Sequence, residues 1–118
     1  MRLKNILLVV SDLERSKAFY RELFGMEALG HFEGNVVLAG GIALQEQTGW
    51  EAVTGQTVSY GGCDMELYFE TYGIDAFLEK LEHCAFAVES CSSTEQGERL
   101  VRFCDPDRHR IEVREKRK

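Results

Sequence analysis

Residues 10–26 read VSDLERSKAFYRELFGM, a sequence with a helix start, one apolar stripe and a helix stop. Ser11 or Asp12 supplies a side-chain oxygen for the unpaired amides of a first helical turn, and Glu14 places negative charge near that positive end. Leu13, Ser16, Phe19, Tyr20 and Leu23 recur at three- and four-residue spacing, so they share one helical face. Gly25 ends the helix, because only glycine adopts the left-handed conformation of a C-terminal cap without steric cost. The stretch predicts a helix beginning at Leu13 and stopped by Gly25.

Outward from that helix the pattern changes period. Residues 2–10, RLKNILLVV, run from the polar positions Arg2, Lys4 and Asn5 into the apolar, β-branched stretch Ile6–Val10 and predict a strand. Downstream, residues 27–34 predict a short strand and Gly34-Asn35 a turn. Val36–Leu38 and Ile42–Gln45 are two more strands, joined by a turn at Ala39-Gly40-Gly41. The order is β-α-β-β-β.

The second half repeats it. Residues 65–70, MELYFE, alternate as a strand with one apolar face should, and Ile74, Phe77, Leu78 and Leu81 form a second helical stripe ending near His83. Ala85–Val88, Arg99–Cys104 and Arg110–Arg114 are the remaining strands. The helices also echo each other in letters, AFYREL at 18–23 against AFLEKL at 76–81. Together with the repeated order, the echo points to an internal duplication. Between the halves, Thr48 to Asp64 contains Gly49, Gly55, Gly61 and Gly62 and predicts a long loop.

Val10-Ser11-Asp12-Leu13-Glu14-Arg15-Ser16-Lys17-Ala18-Phe19-Tyr20, with Leu23-Phe24-Gly25-Met26 after it, resembles the first module of vicinal oxygen chelate proteins, the glyoxalase, bleomycin-resistance and extradiol dioxygenase superfamily. Phe103-Cys104-Asp105-Pro106-Asp107-Arg108-His109-Arg110-Ile111-Glu112-Val113 resembles that family's closing strand pair. The resemblance covers nearly the whole chain. It implies one α+β domain over residues 1–118, built from two tandem βαβββ modules (about 1–47 and 65–115, with a connecting loop at about 48–64). Their curved, mixed sheet would form a cup with the helices on its convex side.

The resemblance also implies a place for a divalent metal ion. The family's usual ligand positions fall on Asn5, near Ala43, on Glu66 and on Glu112. Two carboxylates therefore remain, one ligand is a neutral amide, and one is a methyl group. Such an oxygen set suits Mg²⁺, Ca²⁺ or Mn²⁺ better than Zn²⁺. The alternative for Glu66 and Glu112 is a solvated pair of carboxylates, or pairing with Arg102, Arg110 or Arg114. Gln45, Trp50, Tyr60, Tyr68 and Arg102 are candidates for a ligand wall with a few polar anchors; for Trp50 and Tyr60 the alternative is pinning the long loop to the domain. His31, His83 and His109 fall outside the ligand pattern and are expected at the surface.

Two readings of function stay open. One is a metal-dependent lyase or dioxygenase acting on a small organic molecule; the other is a metal-free protein that binds and sequesters one. Fourteen Lys plus Arg against twenty Asp plus Glu give a net charge of −6, which argues against nucleic acid, whose phosphates need a basic surface. The longest apolar run, Ile6–Val10, is far short of the ~20 residues that a spanning helix needs, so no membrane partner is expected. No signal-peptide pattern follows Arg2 and Lys4, and no Cys-x-x-Cys pair occurs, so reduced thiols in the cytoplasm are the expectation. Single-domain relatives usually pair, which implies a homodimer.

Overall fold

A computed structural model describes residues 1–84 and 99–116 in full, and the backbone of residues 90–95 and 98. The chain forms two compact units, residues 1–59 and 60–118. The first contains β1 (Ile6–Val10), α1 (Leu13–Phe24), β2 (Ala28–Phe32), β3 (Asn35–Leu38), β4 (Ile42–Glu46) and α2 (Gln47–Thr54). The second contains β5 (Leu67–Thr71), α3 (Ile74–Glu82), β6 (Ser90–Glu95), β7 (Glu98–Cys104) and β8 (Arg110–Glu115). Each unit has the β-α-β-β-β order, followed in the first by the additional α2, so the α+β reading with two modules holds. The strand expected at 85–88 lies outside the described residues.

In the first unit the strand order is β1-β4-β3-β2, with β1 parallel to β4 and the other neighbours antiparallel. A parallel pair needs a long crossover, and α1 with the β2–β3 hairpin supplies it. Asp12 caps α1: its Oδ1 accepts from the Arg15 amide at 3.0 Å. Gly25, at φ 66°, closes the other end, its amide donating to the Arg21 carbonyl at 3.0 Å. Between the caps Ser16, Phe19, Tyr20 and Leu23 are buried, as their spacing requires, against a sheet face that buries Leu8, Val10, Val36, Leu38 and Leu44. Asp12→Ala removes a capping acceptor and is expected to cost about 1 kcal/mol in a urea titration.

The segment expected to be a loop contains a helix, α2. The sequence hides it because nothing in it is buried, Gly49 interrupts it, and Glu46 caps it without a side-chain bond. Local bonds hold it instead: Gln47 Nε2 donates to Glu51 Oε2 at 3.2 Å, and Thr54 Oγ1 donates to the Trp50 carbonyl at 2.9 Å. Gly55, left-handed at φ 73°, stops it.

In the second unit the order is β5-β8-β7-β6, with β5 parallel to β8. Helix α3 buries Ile74, Phe77 and Leu81, and the Phe77 and Phe103 rings lie 5.9 Å apart. Arg99 Nη2 on β7 meets Asp75 Oδ1 in the first turn of α3 at 2.7 Å. That hydrogen bond, with the guanidinium charge behind it, holds the Asp75 carboxyl below its ordinary range. Among the described residues no helix is long and apolar enough to cross a membrane.

Candidate functional site

Strand register builds a polar face on the second sheet. Tyr68 pairs with Glu112, and Glu112 with Arg102, across β5, β8 and β7. Because side chains alternate along a strand, these three stand in one row on the same face. Glu70, Arg114 and Leu100 form the next row. The opposite face carries Leu67, Phe69, Val101, Phe103, Ile111 and Val113, the side from which α3 buries its stripe.

Glu112 is the centre of the polar face. It is 2% exposed, and an ion buried so deeply costs several kcal/mol unless it is paired. Both carboxylate oxygens are engaged: Arg102 Nη2 lies 2.7 Å from Oε1, and Arg114 Nε donates to Oε2 at 3.2 Å. Arg102 also faces Glu66, its Nε standing 3.8 Å from Glu66 Oε2. Arg114 in turn lies over the Tyr68 ring, 5.9 Å from its centroid, within cation–π range. The sequence-predicted residues Glu66, Tyr68, Arg102 and Glu112 thus gather on one face, joined by Arg114.

The structure places the other candidates elsewhere. Asn5, half-buried, immediately precedes β1, and Gln45 lies on β4, paired with Val9 and Asn35. Ala43 is buried on β4 opposite Leu7 and Val37. Trp50 is half-buried on α2. Tyr60 opens the second unit with its ring edge against His109, centroids 6.0 Å apart. Among the described residues, no group of three or more His, Cys, Asp or Glu converges closely enough to hold a metal ion.

His109 corrects one expectation. It is half-buried and not a free surface histidine: its side chain is 23% exposed, and its Nδ1 lies 2.7 Å from Oδ2 of the wholly buried Asp105 side chain. Oδ1 of Asp105 accepts from the amides of Asp107 at 3.0 Å and His109 at 2.8 Å. The cue was the Asp105-Pro106-Asp107 run, since an aspartate organises the turn two residues on. His31 and His83 are exposed as expected, and His83 Nδ1 bonds the Glu79 carbonyl at 2.9 Å.

The comparisons agree with this architecture. A glyoxalase-like domain family model matches residues 3–117. A crystal structure of a protein of unknown function from Agrobacterium tumefaciens is similar at 32% identity and TM-score 0.82, over 99% of this chain and 95% of that one. A glyoxalase/bleomycin resistance protein/dioxygenase from Nocardioides superposes at 21% identity and TM-score 0.76, over 98% of this chain and 83% of that one. The fosfomycin resistance protein FosX from Listeria monocytogenes does so at 20% identity and TM-score 0.75, over 99% and 94%. No curated protein matches the chain. With the duplicated βαβββ units and a family match over nearly its whole length, the chain belongs to the glyoxalase-like domain family of the vicinal oxygen chelate superfamily.

Proposed function

We propose that this protein binds a small organic molecule on the polar face of its second sheet and does so without a resident divalent metal. The observation that carries the reading is the Glu112 carboxylate, whose two oxygens are each taken by a guanidinium. A divalent ion placed there would have to displace Arg102 and then sit beside two cations. At a separation of 4 Å and an effective dielectric of 20, each arginine repels the ion by about 8 kcal/mol, so the two together outweigh the equal and opposite pull of the one Glu112 charge at that distance. Glu66 gives little help, because its carboxylate leans on the same guanidinium. The donor set does not fit a metal while Arg102 stays in place.

The same pairing suits recognition of an organic ligand. Arg102 is held by two carboxylates yet 43% exposed, so its remaining N–H groups are oriented before a ligand arrives. Tyr68, 54% exposed, offers an aromatic wall in the same row. The reading includes a homodimer, because β1 and β2 are the outer strands of one sheet and β5 and β6 those of the other, and an outer strand can pair with a second copy. It also includes a cytoplasmic setting, consistent with the free thiols of Cys63 and Cys84.

Titration calorimetry with Zn²⁺, Ni²⁺ and Mn²⁺, beside a thermal-shift screen of small organic acids, amines and aromatics, tests the reading. No stoichiometric metal binding is expected, with ligand shifts that disappear in Tyr68→Ala and Arg102→Gln. A metal bound at one equivalent to the unmodified chain overturns metal independence. Ligand shifts that survive both substitutions move binding off this face.

A further inference from the structure

The turn between β7 and β8 contains a backbone conformation that its sequence does not favour. Arg108 sits at φ 68°, and among the described residues it alone, glycines apart, has positive φ. L side chains rarely adopt that conformation, and arginine, unlike asparagine or aspartate, has no short polar group to compensate. The surroundings over-determine it. The Arg108 amide donates to the Asp105 carbonyl at 2.9 Å, and the Asp105 amide to the His109 carbonyl at 3.0 Å. The buried Asp105 carboxylate binds the amides on both sides of Arg108. A strained residue kept in place this firmly calls for a reason.

The Arg108 side chain supplies one. Its Nη2 donates to the Tyr60 carbonyl at 3.2 Å, forty-eight residues away in sequence. Its guanidinium lies so close to Gly61 that a Cβ there would stand 3.0 Å from Arg108 Cζ. Gly61 itself is left-handed at φ 88°, so the chain bends around the guanidinium where only glycine fits without strain. One residue earlier the Tyr60 ring meets His109 edge-on. Both neighbours on this turn, Arg108 and His109, therefore grip the same point of the segment between α2 and β5. Residues 55–66 of that segment contain no helix or strand.

We propose that the β7–β8 turn is a clasp, in which Arg108 keeps a strained backbone because its guanidinium fastens the connecting segment at Tyr60-Gly61. The inference is independent of the ligand reading above. For Arg108 it predicts that local order is lost without a loss of global stability. In Arg108→Gly the strain is relieved and the guanidinium is lost. The melting temperature is expected to stay level or rise, while amides of residues 60–63 exchange with deuterium at least tenfold faster. Gly61→Ala attacks the clasp from the other side. It is expected to speed exchange at the same amides while lowering the melting temperature, because alanine fits poorly at φ 88°. Unchanged exchange at 60–63 in Arg108→Gly overturns the proposal. So does a lower melting temperature with faster exchange spread evenly over the second unit, because Arg108 would then be an ordinary stabilising residue.

Discussion

Phe19→Ala is expected to lower the unfolding free energy by about 3–5 kcal/mol, the range found when a wholly buried phenylalanine is truncated. The ring is 0% exposed and sits on the stripe that α1 turns toward its sheet. It meets the Tyr20 ring edge-on at 5.0 Å and the Phe24 ring at 6.1 Å, so the substitution empties space between aromatic neighbours that cannot easily close in. The urea midpoint should fall clearly, with a loss of about 10 °C or more in melting temperature. Phe32→Ala is the matched control: that ring is 66% exposed on β2, and its loss should stay within about 0.5 kcal/mol. Equal midpoints for the two variants would mean that α1 presents another face to the sheet.

The second large effect is expected at Glu112. Glu112→Gln keeps the shape and deletes the charge, leaving Arg102 and Arg114 converging on a neutral amide. Removing one partner of a fully buried ion pair costs about 3–5 kcal/mol. Here the Arg102 and Arg114 side chains are 43% and 24% exposed and can regain water, so a loss of about 2 kcal/mol is expected. Glu66→Gln, at 3.8 Å and 35% exposed, should cost less than about 1 kcal/mol. Adding Arg102→Met to Glu112→Gln should recover part of the loss, and the double-mutant cycle measures the coupling. A Glu112→Gln variant as mild as Glu66→Gln would show that the buried carboxylate does not organise the face.

Much of this architecture was legible in the letters because it rests on local rules. The cap at Asp12, the stripe through Phe19 and the stop at Gly25 each follow from a short stretch and each is present, while the alternation expected over 65–70 holds from Leu67 on, Met65 lying outside the strand and exposed. α2 was not legible. Its eight residues bury nothing, so no apolar period marks them, and its bonds join side chains that a loop would also carry.

The candidate site was legible by type and not by arrangement. Parity alone put Glu66, Tyr68 and Glu112 on polar faces, and pairing with arginine was one of three outcomes left open for the carboxylates, beside metal ligation and solvation. Which arginines would meet Glu112 depends on the register between β7 and β8, a long-range fact that no local pattern encodes. The Asp105–His109 contact escaped for a related reason. His109 reads as a strand-end residue until the turn folds back and sets its ring against a buried carboxylate.

The parallel pairing inside each unit bears on how the chain folds as it leaves the ribosome. In each sheet the first strand finds its parallel partner last: Ile6 waits for Ile42, and Leu67 waits for Ile111. At about 5–20 residues per second, synthesis leaves each opening strand without that neighbour for seconds, an interval in which an unpaired edge invites wrong partners. Because the duplication runs in tandem, β1 and β4 are both complete before β5 is made. The nascent first unit can therefore close its sheet before any strand of the second copy of the motif has been made.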